Sequence, residues 1–272
     1  MTNTSIYQDI ATRTGGDIYL GLVGPVRTGK STFIKRFMET LVIPNIEDVY
    51  ARERAKDELP QSGSGRTIMT AEPKFVPEDA VNVMLEGGVS FSVRLIDCVG
   101  YMVEGASGQF EDGAERMVAT PWFDEEVPVS RAAEEGTRRV ITDHSTIGIV
   151  MTTDGSVCGI ERESYVPAEE RVISELREIG KPFVVVLNSA DPSGETAQAL
   201  RAEIEEKYSV ACCCVNCLEL GAADIDEILK TALYEFPIAE LGIYLPDWLD
   251  ALGADSPLRS GILGAIAESV QN

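Results

Sequence analysis

The chain has 272 residues, 44% hydrophobic and 25% charged, a balance that suits one α/β domain with a short C-terminal appendage and a substantial core. Its 45 acidic residues outnumber 23 basic ones, for a net charge of −22. A field of that sign repels phosphate backbones and anionic lipid, which argues against general nucleic-acid binding and against membrane adsorption by charge alone.

The N-terminus "MTNTSIYQDI" has no basic start and no long apolar stretch, and no apolar run in the chain reaches membrane-spanning length, so a cytoplasmic protein without a transmembrane segment is expected. "SIYQDIATRT" predicts a short helix. "DIYLGLVG" is an apolar run ending at Gly24, the pattern of a buried parallel strand. In "STFIKRFMETLV" the residues Phe33, Phe37 and Leu41 recur at helical spacing and are expected to face a sheet. From Pro44 to Thr70 the pattern loosens into a charged helix and a Ser/Gly-rich loop. "AVNVMLEGGVSFSVRLID" holds two alternating segments around Gly87 and Gly88, a hairpin signal whose second strand ends at Asp97.

The next stretch, "CVGYMVEGASGQFEDGAERMVATPWFDEEVPVSR", is long, Gly-rich and poorly periodic, as functional loops often are. A helix around "AAEEGTRRVITDH" then leads into the apolar strand "STIGIVMTTDGS". The alternation continues through the helix "AEERVISELREIG", the strand "KPFVVVLNSAD", the helix "ETAQALRAEIEEKY", a cysteine-rich strand and the helix "DIDEILKTALYEF". This order predicts an α/β fold, a mostly parallel sheet with helices on both faces. Four of the six cysteines crowd into "ACCCVNC" and read as small hydrophobes on a buried strand rather than a zinc site. His144 reads as structural.

Gly24, Gly29, Lys30 and Ser31 match G-x-x-x-x-G-K-[ST], between a predicted strand and a predicted helix. Glycines let backbone amides turn towards phosphates, and the helix N-terminus adds positive potential. Lys30 is expected at the β- and γ-phosphates and Ser31 on Mg²⁺, with Thr28 and Thr32 in the same nucleotide-binding loop. Arg27 either offers a cation to the phosphates, or to a neighbouring subunit, or is a surface arginine. Asp97, ending its strand before Gly100, is the expected Mg²⁺ carboxylate, and the Gly100 amide is placed to sense the γ-phosphate. A strand antiparallel to the rest and D-x-x-G after it look like the translation-factor-related, GTPase-like P-loop class. Such a site needs a threonine that meets the metal when the γ-phosphate is present; Thr70 is favoured, with Thr67 second. Asn188 and Asp191 stand in the register of a guanine-reading N-K-x-D, but Ser189 replaces the lysine and "VNC" stands where the last base-loop signature belongs. The residues alone leave ATP and GTP open. Tyr101 follows D-x-x-G where many such enzymes place a water-orienting glutamine.

The stretches "DIATRTGGDIYLGLVGPVRTGKSTFIKRFME", "RAKDELPQSGSGRTIMTAEPKFVP", "DCVGY", "ATPWF", "HSTIGIVMTTDG" and "ALYEFPIAE" resemble the stage IV sporulation protein A family, spore-coat morphogenetic ATPases of endospore-forming bacteria. The resemblance runs from the N-terminus to about Pro246. It implies a P-loop ATPase of GTPase-like build, with Lys30 and Ser31 on phosphates and Mg²⁺, Asp97 on Mg²⁺, and a threonine near Thr70 as γ-phosphate sensor. It further implies Mg²⁺-dependent ATP hydrolysis coupled to self-assembly into a cytoskeleton-like layer of the spore coat. That layer would lie in the mother-cell cytosol at the outer forespore membrane, held by a small amphipathic peptide and recruiting other coat proteins. Family members are considerably longer. Residues 1–238 are therefore expected to form the nucleotide domain and 239–272 the start of a middle domain, in a chain that looks truncated. The alternatives are a GTPase switch and a nucleotide-binding scaffold without turnover.

Overall fold

The computed structural model describes residues 3–60, 73–84, 90–106, 108–111, 113–236, 245, 247–249, 252–253 and 256–271. The chain divides into two compact units, Met1–Phe236 and Pro237–Asn272. In the second, a single turn at Asp247–Leu249 and helix α8 (Pro257–Gln271) are described.

The first unit begins with α1 (Asn3–Arg13), β1 (Asp17–Val23) and α2 (Lys30–Phe37), which continues through a wider turn at Met38–Val42. Helix α3 (Val49–Asp57) starts where the Asp48 carboxylate accepts the Ala51 amide, a side-chain N-cap. The hairpin strands β2 (Lys74–Met84) and β3 (Ser90–Asp97) follow. The Gly-rich stretch carries four two-residue strands, β4 (Phe110–Glu111), β5 (Ala114–Glu115), β6 (Met117–Val118) and β7 (Val127–Pro128), before α4 (Val129–Arg139). Then come β8 (Ile147–Thr153), α5 (Val166–Ile179), β9 (Phe183–Asn188), α6 (Glu195–Tyr208), β10 (Cys212–Val215) and α7 (Ala222–Tyr234).

Six strands form one sheet in the order β10-β9-β8-β1-β3-β2. All neighbours are parallel except β2 and β3, as the sequence pattern requires. Strand β1, between β3 and β8, is covered on both faces, which is why it reads as an apolar run. Leu20, Leu22, Ile149, Val184 and Val186 pack on one face with Tyr7 and Ile10 of α1, Phe33 and Phe37 of α2, and Ile225 and Ile228 of α7. Val23, Ile96, Val150 and Val185 pack on the other with Ile141, with Val172 and Leu176 of α5, and with Ile204 of α6. The helix positions Phe33 and Phe37 are buried as the spacing predicts, and Leu41 packs half-buried beside them.

Strand β2 begins at Lys74, earlier than the alternation starting at Ala80 suggests. Pro77 hides this part of the strand: it interrupts the ladder, whose register shifts between Val76 and Val81. A proline is tolerated there because β2 is an edge strand. The Gly87–Gly88 turn lies outside the described residues. Cys212 and Cys213 are buried on β10, the expected cysteine-lined strand, and His144 packs edge-on against Phe75 at 5.3 Å.

Candidate nucleotide site

The loop from Gly24 to Gly29 joins the C-terminal end of β1 to the N-terminus of α2. Gly29 caps α2 with φ 97°, and a Cβ there would lie 2.4 Å from Asn188 Nδ2, so only glycine fits. No side chain caps the first turn of α2. The amides of that turn are therefore left for an anion, and the helix dipole favours one.

Lys30 is 5% exposed, and its Nζ donates to the Pro25 carbonyl at 2.6 Å. Burial pushes its ammonium below the usual lysine range, against the opposing pull of Cys98 and Asp97. A buried ammonium held by one carbonyl is complementary to phosphate oxygens. Thr28 is buried and its Oγ1 also donates to Pro25 O, at 3.0 Å. Thr32 is half-buried on the first turn of α2. Arg27 is half-buried with φ 66°, and its guanidinium lies within electrostatic reach of Cys158 and Tyr165.

Ser31 Oγ donates to Asp97 Oδ2 at 2.6 Å, bringing together two predicted metal residues 66 positions apart. Burial pushes the Asp97 carboxyl up, opposed by the Ser31 hydrogen bond and by Lys30. With its hydroxyl hydrogen donated to Asp97 in this hydrogen bond, Ser31 keeps its oxygen lone pairs for a cation. A hydroxyl and a carboxylate are hard oxygen donors of the kind Mg²⁺ takes.

Gly100 sits directly over the loop with φ 91°; a Cβ would fall 2.1 Å from Gly24 O and 2.7 Å from Lys30 Nζ. Its neighbour Tyr101 clips to the loop through two backbone hydrogen bonds, Tyr101 N to Gly24 O (3.1 Å) and Val26 N to Tyr101 O (2.9 Å). The Tyr101 ring is buried, its hydroxyl donates to Glu175, and Arg171 stacks on it at 4.6 Å. Sequence reasoning saw a missing glutamine here but not this clip, which joins segments with no local pattern in common. Thr67 and Thr70 lie outside the described residues.

Asn188, at the end of β9, donates from Nδ2 to Thr28 O and accepts the Cys217 amide at Oδ1, both at 3.0 Å. Both ends of its amide are thus engaged by backbone. Ser189 is buried and its Oγ donates to Asp154 Oδ2 at 2.6 Å. Asp154, which the sequence reading passed over, also accepts the Ser156 amide and hydroxyl. Partial burial opposes its ionisation, but these hydrogen bonds hold its carboxyl below the usual range. Its signal was the "TTDG" ending β8, beside the end of β9 in the sheet. Asp191 is exposed, and Gly194, the N-cap of α6, approaches so closely that a Cβ on it would be 2.7 Å from Asp191 Oδ2. A carboxylate there also suits the positive end of α6. Asn216 Nδ2 reaches Ala190 O at 3.5 Å, linking the loops that follow β9 and β10.

Among the described residues no cluster of His, Cys, Asp or Glu is arranged as a metal site, and no helix is long and apolar enough to cross a membrane.

A family described as stage IV sporulation protein A, ATPase domain, matches residues 1–237. The chain is 54% identical over 268 residues to "Stage IV sporulation protein A" of Clostridioides difficile (strain 630), covering 98% of this chain and 55% of that protein. It is 49% identical over 272 residues to the proteins of the same name from Bacillus anthracis and Bacillus subtilis (strain 168), covering all of this chain and 55% of each. The chain thus spans about half the length of the curated relatives it matches. A match of this extent leads to one conclusion: the chain belongs to the stage IV sporulation protein A family.

Proposed function

We propose that this chain carries the nucleotide domain of a spore-coat assembly ATPase, of the GTPase-like P-loop class. Residues 1–238 make up the domain and 239–272 begin the next. The observation that carries the reading is the Ser31–Asp97 hydrogen bond beside the buried Lys30. It joins the first turn of α2 to the end of β3, which pairs antiparallel with β2 in the six-stranded sheet. In this reading Lys30 and the first-turn amides of α2 hold the phosphates of ATP, with Thr28 and Thr32 beside them. Ser31 and Asp97 hold Mg²⁺, with Thr70 completing the set. Held there, Mg²⁺ would supply positive charge to offset the negative charge that develops on the phosphate. Gly100 lies close to Lys30, where its amide would sense the γ-phosphate. Hydrolysis would drive self-assembly into a coat layer in the mother-cell cytosol at the forespore surface, with the anchoring peptide and other coat proteins as partners.

Phosphate release from ATP with and without Mg²⁺ tests the reading, in the wild type and in Lys30→Ala. Losing the buried ammonium is expected to lower turnover by about 10²–10³-fold, the scale of removing one preorganised donor. Unchanged hydrolysis in the variant overturns the assignment.

One observation favours a second reading, a scaffold that binds nucleotide without turnover: the Tyr101 hydroxyl is committed to Glu175, so this side chain orients no water. Single-turnover measurement with ATP separates the two.

A further inference from the structure

Between α4 and α5 lies a groove of about 520 Å³ with Tyr101 at its floor and Phe123, Arg131, Arg138 and Arg171 among its walls. Four of its charges are paired within the chain, and among the described residues Arg131, Arg138 and Glu178 are not. Arg171 is fully occupied: it pairs with Glu134 through both terminal nitrogens at 2.6 and 2.9 Å and with Glu175 at 3.2 Å. Glu135, a further wall residue, is taken by Arg139 at 2.7 Å.

Arg131 and Arg138 are different. They are one heptad apart on α4, on the side away from its buried stripe of Val129, Ala132, Ala133 and Gly136, and both are exposed. Arg131 stacks on Phe123 at 4.7 Å. Among the described residues neither arginine has a carboxylate partner within salt-bridge distance, in a chain with 45 acidic residues. Phe123 is followed at once by Asp124, Glu125 and Glu126, all three exposed and likewise without a cation partner among the described residues. The groove thus has a basic side, and the exposed run that follows its wall residue Phe123 in the chain is acidic; among the described residues the two form no ion pair with each other.

A patch carrying both halves of a charge pair side by side is self-complementary. In a two-fold contact each copy's basic side meets the other's acidic run, so both pairs form at once. We propose that this face, the groove between α4 and α5 with the acidic run that follows Phe123, pairs two copies of the chain, Arg131 and Arg138 of one copy facing Asp124–Glu126 of the other. The proposal deepens the self-assembly reading by naming a surface for it. It does not depend on which nucleotide is hydrolysed.

A charge-swap experiment on the full chain tests it, with sedimentation velocity at low and at moderate salt as the readout. The variant Arg131→Glu/Arg138→Glu is acidic in both parts, and Asp124→Arg/Glu126→Arg is basic in both. Each alone is expected to lose self-association, by at least tenfold in the dimer constant, and an equimolar mixture of the two is expected to recover it as a mixed pair. Raising the salt should weaken the wild-type and the mixed pair alike. Circular dichroism and ATP turnover, measured on each variant, show whether the fold and the nucleotide site are intact; none of the four substituted residues belongs to that site. Self-association that survives in either variant, a mixture that stays monomeric while both variants are folded, or a wild type that is monomeric at high micromolar concentration overturns the proposal. Loss of ATP turnover in the wild type together with intact pairing would instead sink the ATPase reading and leave this one standing.

Discussion

Asn188 braces the Gly24–Gly29 loop from 160 positions away, its Nδ2 donating to the Thr28 carbonyl at 3.0 Å while its Oδ1 accepts the Cys217 amide. Asn188→Ala leaves a buried carbonyl and a buried amide without partners. The expected cost is about 1–3 kcal/mol, seen as a melting temperature lower by several degrees. Nucleotide affinity should fall with it, because the loop loses its support. Thermal melts and ATP titration check both; a variant as stable as the wild type would remove the bracing role.

Gly100→Ala is a test of close approach. The added methyl would meet Gly24 O at 2.1 Å, and its backbone would keep a φ near 91° that alanine disfavours. We expect about 1–3 kcal/mol of destabilisation and detachment of Tyr101 from the loop. The measurable outcome is turnover reduced far more than thermal stability explains, read by comparing phosphate release with the fraction folded.

Asp97→Asn separates function from stability. Burial raises the Asp97 carboxyl above its ordinary range in the folded chain. A raised acid binds its proton more tightly when folded, so the charged form costs stability above the folded pKa and the cost fades as the pH falls through it. Asparagine carries no such cost and can still accept from Ser31. The variant should be at least as stable as the wild type at neutral pH, with the advantage shrinking in acid, while Mg²⁺-dependent turnover drops by about 100-fold. Denaturant melts across pH would refute this if the variant's advantage grew in acid.

The base is read by competition. Ser189 is tied to Asp154, no lysine stem stands in that register, and Asp191 lies against the start of α6. An incomplete guanine pocket discriminates by about 10- to 100-fold at most. ATP should therefore compete for a labelled ATP analogue at least as well as GTP, and Asp191→Ala should change ATP affinity little. A thousandfold preference for GTP that vanishes in Asp191→Ala would make Asp191 a guanine reader.

The parts of the site that read clearly in the sequence are those with local signatures. Gly24 to Ser31 announced themselves by spacing, and Asp97 by ending an apolar strand before a glycine. The strand–helix alternation gave the parallel sheet, and the Gly87–Gly88 pair gave the hairpin, although Pro77 masked where β2 begins. What stayed hidden is tertiary. The Tyr101 clip, the Asp154–Ser189 pair and the double engagement of Asn188 each join segments that share no periodicity. For Asn188 and Asp191 the motif register was legible but their neighbours were not: Asn188 lies beneath the loop and Asp191 beside the start of α6.

The order of the sheet has a consequence for synthesis. Strand β1 leaves the ribosome before its partners β3 and β8, and Leu20 pairs with Ile147. The brace from Asn188 comes later still. A growing chain that has emerged only as far as α4 has the loop sequence but one missing wall, and contacts this distant in sequence close slowly. Nucleotide capture should then begin only after residue 188 is free of the exit tunnel, so a loop translated well before its brace is finished late.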